Sequence, residues 1–166
     1  MPVRALTGVS SAMLATAMVA ACGAVNEQWD LPMSPLQRPS DIPLQNRDVC
    51  AALRADRLSA GCHLMAENGS AEILIFPRLD GGLQRYSDAV DGDTVRWLGI
   101  DRFPAIQLTG SGSDGVASCR IALDVAPGQV LLIVYRQRAA DPKLAPCKPA
   151  RDFASTSLSA LRNRSA

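Results

Sequence analysis

The chain has 166 residues with 17 basic and 16 acidic side chains and a formal charge of +1, so it offers no electrostatic surface for nucleic acid or anionic lipid. Nearly half of it is hydrophobic but only 4% is aromatic, which suits one domain with a mainly aliphatic core plus a short extension. Arginine outnumbers lysine fifteen to two, which points to a GC-rich genome rather than to arginine-specific chemistry.

Residues 1–21 have the layout of a signal peptide: Arg4 supplies one positive charge, and Ala5 to Ala21 carries none. That apolar run is short and diluted by Thr7, Gly8, Ser10, Ser11 and Thr16, which suits a cleaved leader better than a permanent membrane span. Its end, Val19-Ala20-Ala21-Cys22, resembles the bacterial lipobox. A signal peptidase recognises an aliphatic residue, here Val19, and needs small side chains beside the bond it cuts, here Ala20 and Ala21. The thiol of Cys22 is the nucleophile that takes a diacylglyceryl group. Two or three acyl chains, at about 0.8 kcal/mol per buried methylene, would hold the protein on a bilayer. The expected address is therefore the extracytoplasmic face of the cell membrane, reached through lipid on Cys22.

Residues 22–47 then read as the lipidated cysteine and a proline-rich tether, with Pro32, Pro35, Pro39 and Pro43 and no hydrophobic periodicity. Trp29 and Leu31 lie near the lipid but are expected to be ordinary linker residues. Residues 48–166 read as a single α+β domain: a mostly antiparallel sheet with N- and C-terminal helices on one face and two disulfides. Asp48 is a candidate N-cap for a helix through "VCAALRADRLSA" that Gly61 ends. "CHLMAE" and "AEILIFP" flank Asn68-Gly69 as a β-hairpin. "RLDGGLQRYSDAVDGD" reads as a polar loop with a weak helix around Leu83 to Ala89.

"TVRWLGI" and "FPAIQL" form two strands around Asp101-Arg102, and "TGSGSDG" is a loose connection of small residues. In "VASCRIALDV", Ile121, Leu123 and Val125 alternate with Arg120 and Asp124, the pattern of a half-buried strand. "QVLLIVYRQR" has six apolar residues in a row, the signature of a central strand covered on both faces. From Pro149 onward, Ala150, Phe153, Ala154, Leu158 and Leu161 recur at helical spacing.

With Cys22 assigned to lipid, Cys50, Cys62, Cys119 and Cys147 remain, an even number that in an exported chain reads as two disulfides. No CxxC pair occurs and His63 is the only histidine, so zinc is not expected. If Cys50 to Gly61 were one helix, Cys50 and Cys62 would lie roughly 18 Å apart, too far to bond. That leaves Cys50 to Cys147 with Cys62 to Cys119, or Cys50 to Cys119 with Cys62 to Cys147. The first is favoured because Cys50 and Cys147 both precede helices while Cys62 and Cys119 sit near strand starts.

The lipobox, the tether, "DVCAAL", "AGCHLM", "SCRIALDVAPGQVLLIVY" and "CKPARDFASTSLSAL" together resemble the actinobacterial lipoproteins grouped as domain of unknown function 3558. The resemblance covers roughly residues 48 to 162. It departs at Leu64, where that family often has tryptophan, and in the short segment between the first two cysteines. It implies a surface-anchored envelope domain and no particular reaction.

Catalytic patterns are sparse. His63 has no GxSxG element to serve and reads as a structural residue. His63 and Met65 alternate on one strand face, too few ligands for a soft-metal site. Asp80, Asp88, Asp91 and Asp93 do not follow a calcium-loop spacing and read as a solvated face. The expectation is a non-catalytic envelope module, without cofactor or metal, that binds a protein or a small ligand. Its contact surface is expected on the "TGSGSDG" loop and the neighbouring hairpin carrying Trp97 and Arg102. The alternatives are an enzyme using carboxylates of residues 80–93, and a carrier of lipid or cell-wall precursors with a cavity inside the fold.

Overall fold

A computed structural model of the chain describes residues 37–66, 69–87, 94–111, 115–138 and 145–163. The described residues form a seven-stranded antiparallel sheet, two α-helices and one 3₁₀ turn. In chain order these are α1 (Val49–Leu53), β1 (Asp56–Arg57), β2 (Cys62–Met65), β3 (Ala71–Arg78), the 3₁₀ turn (Leu83–Tyr86), β4 (Thr94–Ile100), β5 (Phe103–Ser111), β6 (Ala117–Ala126), β7 (Gln129–Gln137) and α2 (Cys147–Asn163). The spatial order is β1-β2-β3-β7-β6-β5-β4. The chain thus builds one edge hairpin, crosses to the far edge at β4, and returns strand by strand until β7 closes against β3.

Why β7 takes the centre is visible in its residues. Val130, Leu131, Leu132 and Ile133 are all buried, two on each face, because both faces of the sheet are covered. On one face Ile121, Leu123, Val125, Leu131 and Ile133 meet Ala150, Ala154, Leu158 and Leu161 of α2 and Val49 of α1. Full burial of Leu158 and Leu161 contributes about 1.5–3 kcal/mol each. On the other face Ile106, Leu108, Ala122, Val130 and Leu132 pack against Leu83 of the 3₁₀ turn, with Phe76, Tyr86, Val95, Trp97 and Val134 partly buried around them.

The turns follow their residues. Pro127-Gly128, with Gly128 at φ 68°, joins β6 to β7 as a type II turn allows. Asp101 and Arg102 join β4 to β5 with both residues left-handed, φ 49° and 70°, the geometry of a type I′ turn built without glycine. At the β2–β3 hairpin, Met65 pairs with Glu72 and the amide of Gly69, at φ 66°, donates to the Ala66 carbonyl at 2.7 Å; Asn68 lies outside the described residues.

Two sequence expectations are corrected here. The helix foreseen from Val49 to Gly61 ends after five residues, because Arg54 turns left-handed at φ 53° and sends the chain into β1. Its capped start survives: Asp48 Oδ1 accepts from the Ala51 amide at 3.0 Å. Leu58 N–H then donates to the Gly61 carbonyl at 2.8 Å, which closes the short connection between β1 and β2. The tether is also shorter than foreseen. Ile42 and Leu44 are buried in the core, with the Ile42 amide bonded to the Val125 carbonyl and the Leu44 amide to Gln129 Oε1, both at 2.7 Å. Folded structure therefore precedes residue 48.

Candidate functional site

The disulfides are Cys50 to Cys62 and Cys119 to Cys147, with alpha carbons 5.4 and 5.0 Å apart. The pairing argued from a continuous helix is overturned. Because α1 stops at Leu53 and β1 folds back on β2, Cys62 returns beside Cys50 within one supersecondary unit. The second bond ties the first residue of α2 to β6, and Thr109 Oγ1 lies 3.2 Å from the Cys147 sulfur. Each helix is thereby fastened to the sheet face it covers.

Val19, Ala20, Ala21 and Cys22 lie outside the described residues, as do Trp29 and Leu31. No helix among the described residues is long and apolar enough to cross a membrane. Where the described chain begins, it is pinned to the sheet. Arg38 Nη1 lies 2.6 Å from Asp124 Oδ2 and Arg38 Nε 3.0 Å from Asp41 Oδ1. Burial works against the charge of Arg38, but the hydrogen bonds and charges of Asp41 and Asp124 more than offset it and raise its pKa. At Asp124 burial prevails over the attraction of Arg38, and its carboxyl is raised above the ordinary value. Arg47 extends the seam by donating to the Pro43 carbonyl at 2.9 Å and to the Leu161 carbonyl at the end of α2.

The hairpin foreseen as a contact surface is divided by the fold. Arg102 stands exposed at the β4–β5 turn, where Asp101 Oδ2 accepts from Ser155 of α2 at 2.7 Å. Trp97 is mid-strand, partly buried against the second cluster with Val95 and Ile106. Ser111, the last described residue before "GSD", is at the other end of β5 from Arg102, and residues 112–114 lie outside the described set. At about 3.3 Å per residue, nine residues of strand separate the two by roughly 30 Å. They do not form one surface.

Polar side chains gather at the end of the sheet remote from Arg102. His63 Nε2 lies 3.3 Å from Glu72 Oε1, and Arg136 Nη1 lies 3.5 Å from Glu72 Oε2. The contact of His63 does not meet hydrogen-bond geometry, so its Nε2 is buried without a partner. Met65 stands directly across from Glu72 in the β2–β3 ladder. The Glu72 carboxylate is already committed to Arg136, and a cation placed there would meet the guanidinium charge. Among the described residues no three His, Cys, Asp or Glu side chains gather in a metal-holding group.

Asp80, the one described member of the foreseen acidic cluster, is on the surface. It is paired with Arg85 at 2.8 Å, and that hydrogen bond and charge hold its carboxyl below the usual range. Asp88, Asp91 and Asp93 lie outside the described residues.

An open cleft of about 270 Å³ lies beside the first disulfide, lined by Asp48, Cys50, Arg57, Leu58, Gly61 and Pro77 among others. Arg57 is paired with Asp48 across it and remains largely exposed. Leu58, 43% exposed, gives the rim an apolar side. The sequence reading missed this cleft because it assigned residues 54–61 to a helix. The signal available was Ser59-Ala60-Gly61, small residues suited to a turn before the strand "CHLM". No family model matches the chain, and no match is found among curated proteins.

Proposed function

We propose that this protein is a lipid-anchored extracytoplasmic binding module, held to the membrane through acylated Cys22 and joined by a tether to a disulfide-braced α+β domain. The reading keeps the placement with the actinobacterial lipoproteins that the cysteine and strand pattern resembles. The observation that carries it is the pair of bonds Cys50–Cys62 and Cys119–Cys147, which suit an oxidising compartment and leave Cys22 as the remaining cysteine for the lipobox chemistry. The two helices and the incoming segment 38–47 are stapled to one sheet face, which makes a rigid platform of the kind that displays binding loops.

The carboxylate-enzyme alternative receives no support from Asp80, whose carboxylate is exposed and already bonded to Arg85. The carrier alternative would require an interior hollow, whereas the aliphatic side chains of the first cluster occupy the space between the sheet and its two helices, and those of the second pack against the 3₁₀ turn on the other face. The test is membrane fractionation followed by a mild-detergent pull-down of the native chain beside Cys22→Ser. The native chain is expected in the membrane fraction with a partner retained, and the variant in the soluble fraction. Recovery of both forms from the soluble fraction would overturn the anchor, and a membrane-bound chain that retains nothing would overturn the protein-binding role.

A further inference from the structure

The sheet ends differently at its two edges. At one, β1 is a two-residue stub, Asp56 and Arg57, both exposed and charged, a device that discourages another strand from adding. At the other, β4 runs for seven residues without proline or bulge and, among the described residues, pairs only with β5. Its hydrogen-bonding parity follows from the turn. A two-residue hairpin loop closes on the Ile100–Phe103 pair, so Ile100, Leu98, Arg96 and Thr94 direct their backbone groups toward β5. Val95, Trp97 and Gly99 direct theirs outward. Pro104, which has no N–H to give, stands opposite Gly99 at a position where β4 requires none.

We propose that β4 is the interface for a second copy of this chain, paired antiparallel about a two-fold axis at Trp97. In that register Trp97 faces Trp97, and Val95 faces Gly99 on each side, so every outward group of all three residues is satisfied by about six hydrogen bonds. The side chains agree with the register. On the face carrying the second cluster, the two indoles stand directly opposite, a favourable aromatic cross-strand pair, and each Val95 meets a glycine that leaves it room. On the other face Arg96 falls opposite Leu98 and Thr94 opposite Ile100, so the single charge of each strand is not set against its own copy. A register that satisfies itself in this way favours a second copy over a foreign strand, and the stub at β1 closes the assembly at two chains instead of a fibre.

The test is sedimentation velocity on the full chain across a wide range of protein concentration, with residue-resolved amide exchange at both ends of that range. Expected is a monomer–dimer equilibrium in which the Val95, Trp97 and Gly99 amides become protected as the dimer forms, while those of Arg96, Leu98 and Ile100 are protected throughout. Val95→Pro removes one outward donor and no β4–β5 bond; it should shift the equilibrium to monomer by at least tenfold with the inward amides still protected. Should that variant fail to fold, the exchange pattern of the native chain decides by itself. A chain that stays monomeric throughout, or dimerises without protecting the three outward amides, overturns the proposal. So does protection of those amides only when a different protein is added.

Discussion

Arg38 and Asp124 form a half-buried ion pair, 2.6 Å between Nη1 and Oδ2, that clamps the start of the described chain onto β6 near the turn into β7. Only about a fifth of each side chain is exposed, so the pair differs from an ordinary surface contact. Removing the guanidinium leaves a carboxylate that burial already disfavours. Arg38→Ala is therefore expected to cost about 2 kcal/mol at neutral pH, as for a lost hydrogen bond to a charged group. The sign of the pH dependence follows from the raised pKa of Asp124. A carboxyl raised in the folded state binds its proton more tightly there, so its contribution to stability is present below the unfolded value and lost as pH rises through the folded one. The penalty in Arg38→Ala should shrink on acidification toward the carboxylate range. Urea unfolding at neutral and mildly acidic pH checks this, and an equal penalty at both would refute it.

The two disulfides close loops with sequence separations of 12 and 28. On the chain-entropy account, Cys50→Ser with Cys62→Ser should cost about 3 kcal/mol and Cys119→Ser with Cys147→Ser about 3.5 kcal/mol. The second loss should also loosen α2, since Cys147 is its first residue. Peptide mapping without reductant should recover Cys50 linked to Cys62 and Cys119 linked to Cys147. A Cys50–Cys147 link would contradict the structure.

At the β4–β5 turn, Arg102 holds φ 70° without being glycine, a conformation that costs of order 1 kcal/mol. Arg102→Gly should raise stability by about that amount, and Asp101→Ala should lower it by removing the acceptor of the Ser155 hydroxyl. If Arg102 also contacts a partner, the glycine variant will gain in thermal unfolding and lose in pull-down recovery. No gain in unfolding temperature would mean that the turn carries no strain.

Much of the sheet was legible because its signals are local. Alternation in "CRIALDV" marked β6, a continuous apolar run marked β7, and the register Met65–Glu72 is the one centred on Asn68-Gly69. What misled lay in contacts distant along the chain. Ile42 and Leu44 sit among prolines without a helical or strand period, and their burial depends on β6 and on Gln129, 85 residues beyond Leu44. The helix through residues 54–61 was plausible by propensity, but its apolar residues share no face, and that single error also excluded the correct disulfide pair. The same limit applies to the expected contact surface: it joins residues near Phe103 with residues near Ser111, which a strand of nine residues holds apart.

Gly61 shows how closely the β1–β2 turn sits on its neighbour. A Cβ at this position would lie 2.3 Å from the Ile75 carbonyl oxygen and 2.9 Å from Cδ1 of Phe76. The ring could rotate away, but the carbonyl belongs to β3, which is held by β2 on one side and β7 on the other. Gly61→Ala should therefore push the turn off the sheet, at about 1–3 kcal/mol as for other overpacked sites. Gly82 supplies the control, because a Cβ there meets nothing within 4 Å and its φ of −86° is open to any residue. Gly82→Ala should be neutral or slightly stabilising through the unfolded chain. The two variants compared by urea unfolding isolate the contact from the general effect of losing a glycine. Because Gly61 precedes Cys62, its variant should also speed reduction of the first disulfide by dithiothreitol while leaving the second unchanged. Equal unfolding midpoints for the two variants would show that the turn does not rest on Ile75.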